Sequence, residues 1–133
     1  MKACVIGLGY IGFPAAILIA SKNVQVHGFD VNVDLIEALK NNKTHIVEEG
    51  LQSVFDLALK NQCLTFDTKP IESDVYIVAV PTPFKNSDTD IPKPDLSFID
   101  NAVNSISMLL KPNDLLIIES TCPVGTTNLI AKN

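Results

Sequence analysis

Gly7, Gly9 and Gly12 stand at G-x-G-x-x-G spacing directly after a short apolar run, Ala3 to Ile6. An apolar, alanine-rich segment follows, and a second apolar run, Val24 to Phe29, ends on Asp30. These residue types at this spacing suit the holding of a dinucleotide. Gly7 lets the chain turn sharply off a strand, Gly9 leaves room for the backbone to touch a pyrophosphate, and Gly12 lets a helix lie close on the strand. The N–H groups that open that helix, with the positive end of its dipole, face the phosphate oxygens. Asp30, about 20 residues past the turn, is placed to accept hydrogen bonds from ribose hydroxyls and to repel a 2′-phosphate. The expected cofactor is therefore NAD rather than NADP. A glycine-rich turn of some other α/β domain would share the spacing without the preceding strand, the following helix and the acid.

The other candidates for chemistry are sparse. Cys4, Cys63 and Cys122 form no C-x-x-C pair, and their odd number suits free thiols in a reducing cytosol, so a cytoplasmic location is expected. His27 and His45 have no metal-ligand spacing to each other or to a cysteine, and no metal site is expected. Cys122, in a turn ahead of a helix, has the setting of an activated thiol, but Thr121 and Pro123 flank it and no histidine is near it in sequence. Ten Lys and Arg against 15 Asp and Glu give a net charge of −5 without a basic cluster, which argues against nucleic acid as a partner. Residues 3–20 carry no charge and follow Lys2, so a signal peptide or membrane span is an alternative reading. Three glycines and Pro14 in that stretch, and a second run that needs the first as its neighbour, favour a strand, turn and helix instead, with no membrane partner.

The elements that must position these groups follow from periodicity. With 133 residues, 47% of them hydrophobic, the chain is one domain or part of one. Val31 to Asn42 reads as a helix with Leu35, Ile36 and Leu39 facing inward, and Leu51 to Lys60 as another with Leu51, Val54, Phe55 and Leu59 as its stripe. Leu64 to Phe66 is a short strand. Asp74 to Val80 is a continuous apolar run, as in a strand covered on both faces, and it stops at Pro81-Thr82-Pro83. Residues 84–94 read as a polar, proline-containing, mobile loop. A helix capped by Asp95 or Ser97 runs to about Leu110, Leu115 to Ile118 reads as another buried strand, and the chain then enters Glu119-Ser120-Thr121-Cys122-Pro123-Val124-Gly125-Thr126-Thr127 and a further helix. Strands and helices alternating over short links predict an α/β fold, a doubly wound parallel sheet with helices on both faces. Ligands of such sheets bind beyond the carboxyl ends of the strands. The motifs at those ends are Gly7 to Gly12, Asp30, Pro81-Thr82-Pro83 and Ser120-Thr121.

Taken together in this order, GLGYIGFP, FDVN, VPTP and ESTCPVGTT resemble the strand-end motifs of the UDP-glucose/GDP-mannose dehydrogenase family, over essentially the whole chain. The resemblance implies a Rossmann-type NAD-binding domain, with backbone contacts at Tyr10 and Ile11, a ribose contact at Asp30 and further contacts at Thr82, Ser120 and Thr121. It also implies a supporting catalytic role for Thr121 near the reacting centre. Each has a plainer alternative. Tyr10 could pack over the turn, Thr82 could be there only because a small residue fits between two prolines, and Thr121 could cap the last helix. Leu35 departs from the family, many members of which place Lys or Arg there. HIVEEGL with VPTPFK is most similar to the members that oxidise the C6 alcohol of UDP-N-acetyl-D-mannosamine to a uronate, in surface polysaccharide biosynthesis. UDP-glucose is the alternative substrate, and a freestanding, non-catalytic NAD-binding module the alternative function. The family's nucleophilic cysteine, in a G-x-C-x-P-x-D segment, and its lysine and asparagine have no counterpart here. The resemblance thus implies that these residues are the NAD-binding portion alone. The UDP-sugar would reach it through a missing C-terminal half, in a homodimer of the full-length protein.

Overall fold

The computed structural model describes residues 1–85 and 92–132. The chain runs β1 (Lys2–Ile6), α1 (Gly12–Ser21), β2 (Gln25–Phe29), α2 (Val33–Lys40), α3 (Leu51–Lys60), β3 (Leu64–Asp67) and β4 (Val75–Val78). It continues through β5 (Phe84–Lys85), β6 (Lys93–Pro94), α4 (Ser97–Ile106), β7 (Leu115–Ile118) and α5 (Thr126–Ile130). Five parallel strands form one sheet in the order β3-β2-β1-β4-β7. The chain thus leaves β1 toward one edge and returns at β4 to build the other half.

Alternation along the strands divides the core between two faces. Ala3 and Val5 of β1 join Val26, Leu64, Phe66 and Ile77 under α1, α2 and α3. Cys4 and Ile6 join Phe29, Tyr76 and Val78 under α4. On the first face Phe55 stands edge-on to Phe13 at 5.1 Å and to Phe66 at 6.0 Å between ring centroids, locking α1 and α3 onto β3. On the second, the buried Tyr76 hydroxyl accepts the Ser73 N–H (2.9 Å) and donates to the Leu109 carbonyl (3.2 Å).

Several expectations need correction. Residues 84–94 are not all loop, because β5 and β6 pair antiparallel there; residues 86–91 of that expected mobile loop lie outside the described residues. Leu96 occupies the N-cap of α4 without a side-chain cap, and Asp95 instead accepts the N–H of Ser97 just ahead of the helix (3.0 Å). That helix stops at Ile106, short of Leu110. β7 is an edge strand, with Leu115 54% and Ile117 37% exposed, rather than a buried one. Gly125, not Thr121, is the N-cap of α5.

Burial pushes the Cys4 thiol up from 9.0 to about 11. Unfolded, that thiol ionises near pH 9; folded, it keeps its proton to about pH 11. The native chain therefore holds more protons in this window, and stability that is intact below pH 9 is lost as pH rises through it. The loss should approach about 2–3 kcal/mol. Urea denaturation below and within the window should show the decline, and Cys4→Ala should make it shallower, leaving the share of the Tyr76 hydroxyl, which burial also raises.

Candidate functional site

β1 ends at Ile6, and the chain turns at Gly7, whose φ of +88° a residue with a side chain rarely adopts. The turn is laid across the end of β2 by two bonds. The Gly7 N–H donates to the Phe29 carbonyl (2.8 Å), and the Leu8 N–H donates to Asp30 Oδ2 (2.8 Å). Asp30 Oδ1 takes the N–H of Asn32 (2.9 Å), so the carboxylate clasps the turn and the entry to α2 together. Asn32 then caps α2 by accepting the Leu35 N–H (3.1 Å).

Beyond Leu8 three successive backbone N–H groups, those of Gly9, Tyr10 and Ile11, find no acceptor among the described residues, while the Gly9 carbonyl accepts from Phe13 as α1 begins. A Cβ placed on Gly9 would meet nothing within 4 Å, so open space lies over the turn. Three unengaged amides at a helix N-terminus, an open approach and a carboxylate beside them form a cradle that fits a dinucleotide diphosphate with its adenosine ribose. Tyr10 is 72% exposed and does not pack over the turn; its ring stands 6.5 Å from that of His45, edge to face.

The other half of the rim comes from β4 and β7. The Ala79 N–H donates to the Ile6 carbonyl (2.8 Å), which sets the end of β4 beside the glycine turn. The Ser120 hydroxyl accepts the Val80 N–H (3.0 Å) and donates to the Val80 carbonyl (2.8 Å). It thus replaces a rung of the ladder where β4 and β7 give out. Thr82 donates its hydroxyl to the Thr121 carbonyl (2.6 Å), tying the proline turn to the segment after β7. The structure thus brings Gly7 to Gly12, Asp30, Thr82, Ser120 and Thr121 to one rim, on the two sides of the β1–β4 crossover where doubly wound sheets bind their ligands. The Ser120 proton is committed within that rim, whereas the Thr121 side chain is exposed. Cys122 is half-buried against the α4 face. Among the described residues no three His, Cys, Asp or Glu side chains are grouped to hold a metal.

Two participants were not legible as site residues. His45 comes from the α2–α3 link, and its ring lies 5.7 Å from Phe13 and near Tyr10. Leu8 reads as filler between glycines, yet it is fully buried and supplies the amide that Asp30 holds.

Comparison with known proteins bears on the family and the fold. Residues 1–133 match the NAD binding domain of the UDP-glucose/GDP-mannose dehydrogenase family. The chain is 44% identical over 131 residues to a UDP-N-acetyl-D-mannosamine dehydrogenase of Campylobacter jejuni, covering 98% of this chain and 31% of that protein. It thus spans about a third of that curated relative. Its fold superposes on the UDP-N-acetyl-mannosamine dehydrogenase Cap5O of Staphylococcus aureus with a TM-score of 0.92 at 40% identity, covering 99% of this chain and 32% of that one. A GDP-mannose dehydrogenase of Pseudomonas aeruginosa, solved as a ternary complex, gives 0.86 at 26% identity, covering 98% and 30%.

Proposed function

The chain belongs to the UDP-glucose/GDP-mannose dehydrogenase family, whose NAD-binding domain it matches throughout, and from that premise we propose that it holds the cofactor of a UDP-sugar 6-dehydrogenase acting on UDP-N-acetyl-D-mannosamine. The observation that carries the cofactor half is the set of three unengaged amides at Gly9, Tyr10 and Ile11 beside Asp30. Support for the sugar comes from the 44% identity to a protein of that name.

In this reading the amides of Gly9, Tyr10 and Ile11 hold the diphosphate, and Gly7 and Gly12 shape the turn that presents them. Asp30 accepts from the ribose hydroxyls and excludes a 2′-phosphate. Thr82, Ser120 and Thr121 set the rim on the nicotinamide side, with the Thr121 hydroxyl nearest the reacting centre. Held by these residues, NAD would supply a hydride acceptor for oxidation at the sugar's C6 carbon. The nucleophilic cysteine and the general base come from outside these residues, as does the sugar pocket. The full-length protein works as a cytoplasmic homodimer. Among the described residues no helix is long and apolar enough to cross a membrane.

The test has two arms. Calorimetric titration with NAD is expected to show at most weak binding by these 133 residues, and incubation with NAD and either UDP-sugar to yield no NADH. The polypeptide in which the domain works is expected to form NADH faster from UDP-N-acetyl-D-mannosamine than from UDP-glucose. The reverse order would move the assignment to UDP-glucose. Binding without turnover in that longer polypeptide would leave a cofactor-binding module and end the enzymatic reading.

A further inference from the structure

Gly28 is the next-to-last residue of β2, two residues before Asp30, and pairs with Val5 on one side and Phe66 on the other. Its backbone is ordinary extended strand, and no left-handed φ calls for glycine there. Space does. A Cβ at this position would lie 2.7 Å from Phe66 Cδ1 and 3.0 and 3.1 Å from the two Cδ atoms of Leu8. Leu8 is fully buried, and it is the residue between Gly7 and Gly9 whose amide reaches Asp30 at 2.8 Å. Successive strand side chains alternate faces, so position 28 and Asp30 lie on the same face of β2. Leu8 spans both: its side chain fills the vacancy over Gly28 and its amide meets the carboxylate two residues on. The amides that follow it, at Gly9, Tyr10 and Ile11, are the unengaged ones.

We infer that Gly28 is a positioning residue of the dinucleotide cradle, acting through Leu8: the missing Cβ seats the Leu8 side chain, and that seat fixes where the amides of residues 9 to 11 point. The turn has two hydrogen bonds to β2 and one apolar plug. The plug bears directly on residue 8, so displacing it pulls the Leu8 N–H from Asp30 and rotates the cradle. Phe66 is the competing neighbour. If Gly28 served only to let the Phe66 ring pack against the sheet, a Cβ there would strain the core and leave the turn where it is.

The inference rests on the NAD-binding half of the function given above, and the experiment separates the two. Gly28→Ala, Gly28→Ala with Leu8→Val, and Gly28→Ala with Phe66→Leu are compared with wild type. The measurements are calorimetric titration with NAD and hydrogen exchange of the residue 8 amide without ligand. Leu8→Val removes both Cδ atoms that the new methyl would strike. Gly28→Ala is expected to weaken NAD binding by roughly tenfold or more, since small misplacement of binding groups is costly, and to speed exchange at residue 8. Leu8→Val should restore both, while Phe66→Leu should restore neither. Rescue by Phe66→Leu alone, or unchanged NAD binding in Gly28→Ala, would overturn the inference. If Gly28→Ala does not fold, the two double variants still decide it, because only the Leu8 pairing is expected to bring back slow exchange at residue 8 with NAD binding. A wild type that binds no NAD while residue 8 follows the expected exchange pattern would defeat the cofactor reading, and the role of Gly28 in the cradle with it.

Discussion

Gly12→Ala is expected to unfold the start of α1 and abolish NAD binding. A Cβ on Gly12 would fall well inside the van der Waals envelope of the Gly7 carbonyl oxygen, and it would also crowd the Ala79 Cβ at 3.1 Å. The first obstacle is backbone, so no side-chain rotation relieves it. Either the helix lifts off β1 or the glycine turn opens, and both displace the amides of residues 9 to 11. Overpacking of this kind costs about 3 kcal/mol or more when the obstacle cannot move. For a chain of this size that is a fall in melting temperature of roughly 10 °C. Thermal melts of wild type and variant, followed by NAD titration of whatever remains folded, would show it. A variant with native melting temperature and native affinity would mean that α1 has slack along the sheet that the geometry denies.

The second large effect is expected at Asp30. Each oxygen of its carboxylate accepts one backbone N–H, from Leu8 and from Asn32, and keeps a lone pair for a ribose hydroxyl. Asp30→Ala removes an anchor of the turn, an acceptor for the ribose and the charge that repels a 2′-phosphate, all at once. Bonds to a charged acceptor contribute about 1.5–3 kcal/mol, so NAD affinity should fall by about one to two orders of magnitude. The preference for NAD over NADP should disappear. Asp30→Asn sorts these roles in part, because it removes the charge and keeps one acceptor oxygen, while its NH2 group gives up one of the two N–H bonds. It should keep more of the NAD affinity and lose the discrimination. Equal binding of NAD and NADP by wild type would remove Asp30 from the argument for cofactor choice.

Much of the first half of the fold was legible in the sequence because its signals are local. The strand, glycine turn, helix and acid lie within thirty residues, and α3 falls where its stripe placed it, at Leu51–Lys60. What was not legible depends on neighbours in space. Leu115 to Ile118 is as apolar as Val75 to Val78, and only the strand order shows that one is an edge and the other interior. The two-residue strands β5 and β6 are too short to show any period. Leu109 and Leu110 prolong the apolar pattern of α4 but pack after the helix has ended, against the same core. Thr121 and Gly125 both precede a helical segment, and α5 begins only at Thr126, which leaves Gly125 as the residue at its N-cap. At the site, glycine spacing announced the turn, whereas the second duty of Asp30, holding the Leu8 amide, is a contact across 22 residues that no motif encodes.

The fastening of the glycine turn bears on how ligand recognition is distributed between rates. The turn is pinned by Phe29 and Asp30 and wedged by Leu8, all contacts that the chain makes with itself. A socket set in advance spends little entropy on arrival, so capture should need no slow isomerisation, and differences in affinity among nucleotides should show mainly as differences in residence time.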